Sequence, residues 1–432
     1  MESLEQSLDE RKGFSSENFK IEITNLPRFF GIGHMKKVLI KKLKLNPHKL
    51  KPVGKGAKYM FVNFSNEKDR EEAIAKLDGL DYKGNKLKAF KCRAAKDPMV
   101  KAAEANQEVD DRPVTERIKS AVTPLADKDY KDQLEHKNKT IKELLEKLKK
   151  EFMKQNGFFK SHGVTEEDLV HLEDFIPSPA TEEYRNKCEF SIGKHPETGE
   201  TAVGFRLASY RKGCTAVANI DHLPNVSATM KSIVKHFEDF VKNSQYEPFD
   251  NISQKGYWKQ LTVRQGFRTN DLLVWAVLHP QELTDEEKTD LEQKFMSHFE
   301  GQNVTSLNIQ YLGPRQKGQP DPVVKCVTGQ KYIEEKLMGL TFKVSPQAFF
   351  QINTEAAEKL YETSGLLAEL DQETVLFDVC CGTGTIGLCL SSKVKEVHGV
   401  DIIEEAIKDA SANAEENGVK NATFHAGKFF LP

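Results

Sequence analysis

The amino-acid sequence predicts a multidomain α/β protein: a small α+β module, then a mixed α+β domain, then the first part of a doubly wound parallel sheet. Three observations predict it. Residues 18–93 run strand, helix, strand, helix, strand, with apolar residues recurring at periods of two and of about 3.6 in turn. Residues 165–345 alternate short apolar strands with helical patterns and turn residues. Near residues 374–401 a buried strand meets a glycine-rich turn, a helix and a second strand that ends in an acid. A chain of 432 residues has room for about three such domains.

Residues 1–17 are polar and acidic, which predicts a disordered tail and argues against a secretory signal. The module over 18–93 begins with a strand in which Ile21 and Ile23 share one face. A helix is expected over Ile32 to Leu45, a strand over Tyr59 to Phe64, and a second helix capped by Asn66. Lys86 to Arg93 supplies the closing strand, and a further short one is expected around Leu50 to Val53. Residues 17–93 hold 19 Lys and Arg against 8 Asp and Glu, a net of +11, within a chain whose formal charge is −2. A basic module on an otherwise acidic chain points to a polyanionic partner.

The order of these elements, with Ile21-Glu22-Ile23-Thr24-Asn25-Leu26 and Ala57-Lys58-Tyr59-Met60-Phe61-Val62-Asn63-Phe64, resembles an RNA-recognition motif (RRM), a ferredoxin-like α+β fold. In that family three aromatic rings on the sheet face stack on unpaired bases. The resemblance implies that Tyr59 and Phe61 bind RNA, while Glu22 stands where the third ring belongs. A protein partner on this face, or RNA contact through the lysine-rich edges instead, is the alternative.

Residues 94–127 lose periodicity around Pro98, Pro113 and Pro124 and are expected to be a flexible linker. Residues 128–156 predict one amphipathic helix, with Leu134, Ile141, Leu145, Leu148 and Phe152 in a stripe suited to packing on the next domain. The central domain, 157–345, is expected to hold strands at Cys188 to Ile192, Lys259 to Arg264, Leu272 to Leu278, Ser306 to Leu312 and Leu340 to Val344. Helices are expected at Thr229 to Lys242 and Asp285 to Phe299. The longest apolar runs have strand length, too short to span a bilayer as a helix, so no membrane role is expected. Seven cysteines at irregular spacing fit reduced thiols in the cytoplasm or nucleus, and no metal site or cluster is expected.

Residues 346–432 hold the cofactor signal. The strand Thr374 to Val379 runs into Cys380-Cys381-Gly382-Thr383-Gly384-Thr385, then the helix Ile386 to Leu390, then the strand Val397 to Asp401. Glycines let a backbone approach a ligand closely, and an acid closing the second strand can accept both hydroxyls of a ribose. Gly382, Gly384 and Gly387 also satisfy the dinucleotide spacing, so spacing alone leaves an NAD-binding dehydrogenase open.

The segment Phe350-Gln351-Ile352-Asn353 before that strand, with Tyr184-Arg185-Asn186-Lys187-Cys188-Glu189-Phe190 and Val203-Gly204-Phe205-Arg206 upstream, resembles the RNA uracil-5-methyltransferases over roughly residues 175–428. The resemblance implies a Rossmann-like class I methyltransferase sheet and S-adenosylmethionine as cofactor. It implies cofactor contacts at Gln351, Cys380, Gly382, Thr383, Gly384, Thr385 and Asp401. Arg185, Lys187 and Arg206, with Arg211 and Lys212, are then expected along an RNA path. An RRM joined to this enzyme type is similar to the animal tRNA uracil-5-methyltransferases, which implies a tRNA partner and a T-loop uridine.

In that family a Cys thiolate adds to carbon 6 of the uracil, carbon 5 takes the methyl group, and a Glu base removes the carbon 5 proton so that the thiolate can leave. None of the seven cysteines matches the position of the nucleophile, so no catalytic residue is assigned and the chain is expected to be an inactive, C-terminally shortened form. A non-catalytic RNA-binding isoform or scaffold is the alternative.

Overall fold

The computed structural model describes residues 8–13, 15–54, 56–98, 100–101, 110–155, 161–165, 167–208, 214–314 and 322–427; Arg211, Lys212 and the last five residues, on which sequence expectations fall, lie outside that set. The chain forms two units: residues 1–111 with 208–215 and 250–255, and the remainder.

In the first unit, period-two patterning becomes a four-stranded antiparallel sheet. Its strands are β1 (Lys20–Thr24), β2 (Lys49–Pro52), β3 (Met60–Asn63) and β6 (Lys88–Lys91), in the order β2-β3-β1-β6. Ile21, Ile23, Met60 and Val62 point inward, where helices α1 (Ile32–Lys37) and α2 (Glu67–Leu77) cover them with Met35, Leu39, Ala73 and Leu77. Helix α1 ends earlier than its apolar spacing suggests, because Val38–Lys42 widens into a π turn. The Asn66 side chain accepts from Asp69 N at 2.8 Å, the expected cap. A small hairpin, β4 (Asp81–Tyr82) and β5 (Asn85–Lys86), precedes β6.

The tail expected over 1–17 is ordered where it is described. Residues 8–13 are helical, and Ser16–Phe19 is a 3-10 turn. Arg11 donates to Asp97 at 2.8 Å and to the carbonyls of Asn251 and Ile252, while Ser15 donates to Asp97 at 2.6 Å. Charges that looked like solvated surface are anchors here, which composition alone does not reveal.

The second unit begins with α3 (Val114–Val122), inside the stretch expected to be a linker. Its signal is short: Val114 and Ile118 are one turn apart and both buried, hidden in sequence between Pro113 and Pro124. Helix α4 (Tyr130–Gln155) follows as expected, but its stripe packs only in part. Leu134, Ile141 and Leu145 are half-buried, whereas Leu148 and Phe152 are exposed.

A seven-stranded sheet carries the centre of the unit. Its strands are β7 (Lys187–Lys194), β8 (Thr201–Arg206), β9 (Val217–Ala218), β10 (Trp258–Gln265), β11 (Leu272–Leu278), β12 (Ser306–Tyr311) and β13 (Lys325–Gly329), ordered β13-β12-β11-β10-β7-β8-β9. Only β11 and β12 pair in parallel; the other neighbours are antiparallel. Helices α5 (Ala228–Lys242) and α6 (Asp285–Phe299) cover one face, where Phe237 and Phe240 meet the fully buried Trp258 edge-on and Phe295 meets Phe237 in the same way. Thr284 and Glu287 close α6 with reciprocal side-chain caps.

The strand expected at Leu340 to Val344 in the central domain is instead one arm of a hairpin, β14 (Ile333–Leu337) with β15 (Leu340–Val344), that packs with the C-terminal sheet. That sheet is parallel, β16 (Val375–Val379), β17 (Glu396–Asp401) and β18 (Ala422–Ala426) in sequence order. Helices α7 (Thr354–Leu367), α8 (Thr385–Leu390) and α9 (Glu404–Glu416) accompany it. Leu273 of the central sheet, Leu337, Phe342, Phe350, Tyr361 and Leu388 share one core, so the Gln351 segment is packed between the two sheets. Strand β16 is an edge among the described residues, with Val375, Phe377 and Val379 exposed.

Candidate functional site

The turn between β16 and α8 needs backbone that bends sharply. Three of its residues lie in the left-handed region: Cys380 at φ 65°, Gly382 at 55° and Gly384 at 77°. For Cys380 that conformation is unfavourable, and both its N–H and that of Cys381 converge on Val400 O at 2.8 and 3.1 Å to hold it. Gly384 is required for space as well, since an added Cβ would sit 2.8 Å from the Phe424 ring. Over Gly382 the reverse holds. A Cβ there would meet nothing within 4 Å, so this side of the turn is an open cradle.

Asp401, at the end of β17, closes that cradle. Its Oδ2 accepts from Gly382 N at 3.0 Å and its Oδ1 from Ile403 N at 2.9 Å. A carboxylate has about four acceptor positions, so two remain for a diol. The turn, an open face and an acid with spare acceptors suit the ribose of a nucleoside cofactor. Gln351, Thr385 and the turn are brought together through a residue not singled out as a site. The Tyr361 hydroxyl lies 3.4 Å from Thr385 Oγ1, and Gln351 stands three residues before the first turn of α7, the helix that carries Tyr361. Burial pushes the Tyr361 phenol above its ordinary range. Thr383 departs from expectation. Its side chain is buried with Oγ1 unpartnered, and its carbonyl accepts from Asn413 Nδ2 at 3.3 Å, so it faces inward instead of toward the cradle.

Sequence reasoning also passed over Asp378 and Asn413. Asp378 is buried and accepts from Gly387 N at 2.9 Å, bracing the first turn of α8. Burial raises its pKa above the ordinary carboxylate value, opposed by that hydrogen bond. Asn413, fully buried, also accepts from Lys343 N at 2.8 Å, tying α9 to β15. A buried acid one residue from a strand end was the available signal for Asp378; Asn413 offered none within a helix rich in Glu and Ala.

Cys188 is pushed up to about 11 by burial, and Cys381 and Cys389 to about 12. Cys326 is raised for the same reason. These are protonated thiols, the opposite of an activated nucleophile. Among the described residues no group of three or more His, Cys, Asp or Glu could hold a metal ion, and no helix is long and apolar enough to cross a membrane.

The basic residues at the head of β7 are partly engaged. Arg185 Nε donates to Lys187 O at 3.1 Å, and Lys187 pairs with Glu189 at 2.7 Å. Arg206 ends β8, which runs antiparallel to β7 and so returns it toward the head of that strand; Phe205 packs on Phe190 at 5.1 Å. In the first unit, Tyr59 and Phe61 meet edge-on at 5.8 Å on the outer face of the sheet, with Lys20 Nζ 5.1 Å above the Phe61 ring. Glu22 is the register partner of both Phe61 and Phe90, so Phe90, 45% exposed, lies on the same face. Phe90 had no place in the sequence reading, which looked for rings only at the two motif segments.

A methyltransferase-domain family model matches residues 370–431. The human tRNA (uracil-5-)-methyltransferase homolog A is 38% identical over 96% of this chain, which spans 67% of that protein. The human homolog B is 34% identical over 72% of the chain and 63% of its own length. The crystal structure of Pyrococcus abyssi tRNA (uracil-54, C5)-methyltransferase in complex with S-adenosyl-L-homocysteine shares the fold at a TM-score of 0.50, with 22% identity over 69% of this chain and 63% of that one. The chain thus spans about two thirds of the length of these relatives. With a relative 38% identical over 96% of its sequence, the chain belongs to the tRNA (uracil-5-)-methyltransferase family.

Proposed function

We propose that this chain binds S-adenosylmethionine in the cradle over Gly382 and a tRNA on its basic surfaces, in the service of methylating carbon 5 of a uridine, the T-loop uridine in particular. The observation that carries the reading is the Asp401 carboxylate, fixed by Gly382 N at 3.0 Å with acceptors to spare at the lip of an open turn. Cys380, Gly382, Gly384, Thr385 and Gln351 would line the ligand; Thr383 would contribute through its main chain. When bound, the cofactor supplies an electrophilic methyl group. The chain's part is to orient it and to draw the RNA, whose target base must leave its stack to reach the site.

The thiol environments favour a second reading, binding without turnover. Burial pushes the thiols of Cys188, Cys326, Cys381 and Cys389 up, toward the protonated form. The 432-residue protein is therefore expected to bind S-adenosylhomocysteine by calorimetry, to ignore NAD, and to transfer no tritiated methyl group to unmodified tRNA. Binding of NAD instead would overturn the methyltransferase reading; steady methyl transfer would overturn the second reading alone.

The four-stranded sheet is read here as an RRM, supported by its strand order and its two covering helices. Tyr59, Phe61 and Phe90 then form the stacking surface for unpaired RNA, with Phe90 taking over for the ring that Glu22 displaces. Alanine at any one of the three should cost about 1–3 kcal/mol in affinity for a short unpaired RNA, read by fluorescence anisotropy at fixed salt. Unchanged binding by the triple variant would assign the RNA to the lysine-rich edges, or leave the face to a protein partner.

A further inference from the structure

Between β15 and α7 the chain crosses residues 345–353 without regular structure, and this crossing carries Gln351. Its main chain is nevertheless pinned, and mostly by one residue. Asn186, 1% exposed and standing between Arg185 and Lys187, donates through Nδ2 to Gln351 O at 2.7 Å and to Thr354 Oγ1 at 3.0 Å. Its backbone N–H donates to Ile352 O at 2.8 Å. A carbonyl can only accept, which fixes the NH2 side of the amide toward Gln351. Having accepted from Asn186, the Thr354 hydroxyl donates onward to Glu335 Oε2 at 3.4 Å. Asn186 is itself held to the central sheet, since its carbonyl accepts from Gln265 N at 2.8 Å. A second pin, Arg264 Nη2 to Ala348 O at 3.0 Å, secures the start of the crossing.

From the pinned backbone the Gln351 amide reaches toward Tyr361, whose hydroxyl stands 3.4 Å from Thr385 Oγ1 at the exit of the glycine turn. Hydrogen bonds thus run from the head of β7 to the main chain of Gln351 and Ile352 and, through Thr354, to Glu335. We propose that Asn186 is a positioning residue for the cofactor: it sets the main chain at Gln351 so that the Gln351 amide meets the ligand beside Tyr361 and Thr385. The inference rests on the cofactor reading given above. A buried asparagine with two of its bonds aimed at one loop also explains why its own Oδ1, which has no partner, is tolerated.

A double-mutant cycle on the 432-residue protein tests it, with S-adenosylhomocysteine as the probe in calorimetry. Asn186→Ala and Gln351→Ala should each weaken binding about 10-fold, and the double variant should be no weaker than either, because a peg for an absent side chain has nothing left to do. A merely structural Asn186 would give independent losses that multiply to about 100-fold in the double variant, and that result would overturn the proposal; so would wild-type affinity in Asn186→Ala. If Asn186→Ala does not fold, Thr354→Val removes only the hydroxyl that Asn186 grips. It should weaken binding by a smaller factor that vanishes in the Gln351→Ala background, and unchanged affinity in a folded Thr354→Val protein would equally overturn the proposal. Failure of the unsubstituted protein to bind the probe would sink the cofactor reading, and this inference with it.

Discussion

Asp401→Ala is expected to lower affinity for S-adenosylhomocysteine by roughly 10- to 150-fold, the equivalent of about 1.5–3 kcal/mol for hydrogen bonds to a charged acceptor. Two losses combine. The diol loses its carboxylate, and Gly382 N and Ile403 N lose the acceptors that shape the turn at 3.0 and 2.9 Å. Asp401→Asn separates them. Its single carbonyl oxygen can still take one of the two backbone amides, so the turn is better preserved while the charge is gone. An intermediate affinity is expected for it in calorimetry, and wild-type affinity in Asp401→Ala would remove the ribose role altogether.

Phe350→Ala is expected to destabilise the second unit by about 3–5 kcal/mol, the usual cost of truncating a buried aromatic ring. Phe350 is 2% exposed, its ring lies 6.0 Å from Phe342, and both belong to the core that joins the C-terminal sheet to Leu273 of the central sheet. Its neighbour Phe349 is 70% exposed, and Phe349→Ala should change stability by no more than about 0.5 kcal/mol. The measurement is urea unfolding followed by tryptophan fluorescence. Both tryptophans, Trp258 and Trp275, belong to the second unit, so the signal reports that unit alone. Equal midpoints for the two variants would show that the motif's buried ring is not an anchor.

What was legible in the sequence follows from how local each signal is. Strands whose apolar faces are set by their own residues, such as Leu272–Leu278 and Leu340–Val344, fell where periodicity put them, as did α6. The glycine turn and Asp401 were legible because a close backbone approach restricts residue type at fixed spacing. Strand β14 was not. Ile333-Glu-Glu-Lys-Leu reads as a helix former, and its central Glu335 is 2% exposed, its carboxylate accepting from Phe267 N at 2.9 Å, Lys336 N at 2.8 Å and the Thr354 hydroxyl at 3.4 Å. A buried carboxylate of that kind depends on a partner about seventy residues away, which no window of sequence contains. Phe90 was missed for a related reason: its place beside Glu22 is a matter of strand register, not of motif spacing. The ordered start of the chain was missed because Arg11 reads as solvated until Asp97 is brought to it.

The hairpin of β14 and β15 has a kinetic consequence. Leu337 pairs with Leu340 across a two-residue turn of Met338 and Gly339, both in the left-handed region, so the hairpin needs almost no loop closure and can form on a timescale of about 1–10 μs. The parallel pairs it later packs beside must wait. Val375 meets Glu396 and Val397 meets Ala422 only after loops of about twenty residues or more have closed. Leu337, Phe342 and Val344 therefore offer an apolar platform before β16, β17 and β18 exist as a sheet. Defects in the hairpin should slow folding of the second unit, whereas defects in β18, whose pairing with β17 closes a longer loop, should leave the folding rate nearly untouched and show up as faster unfolding.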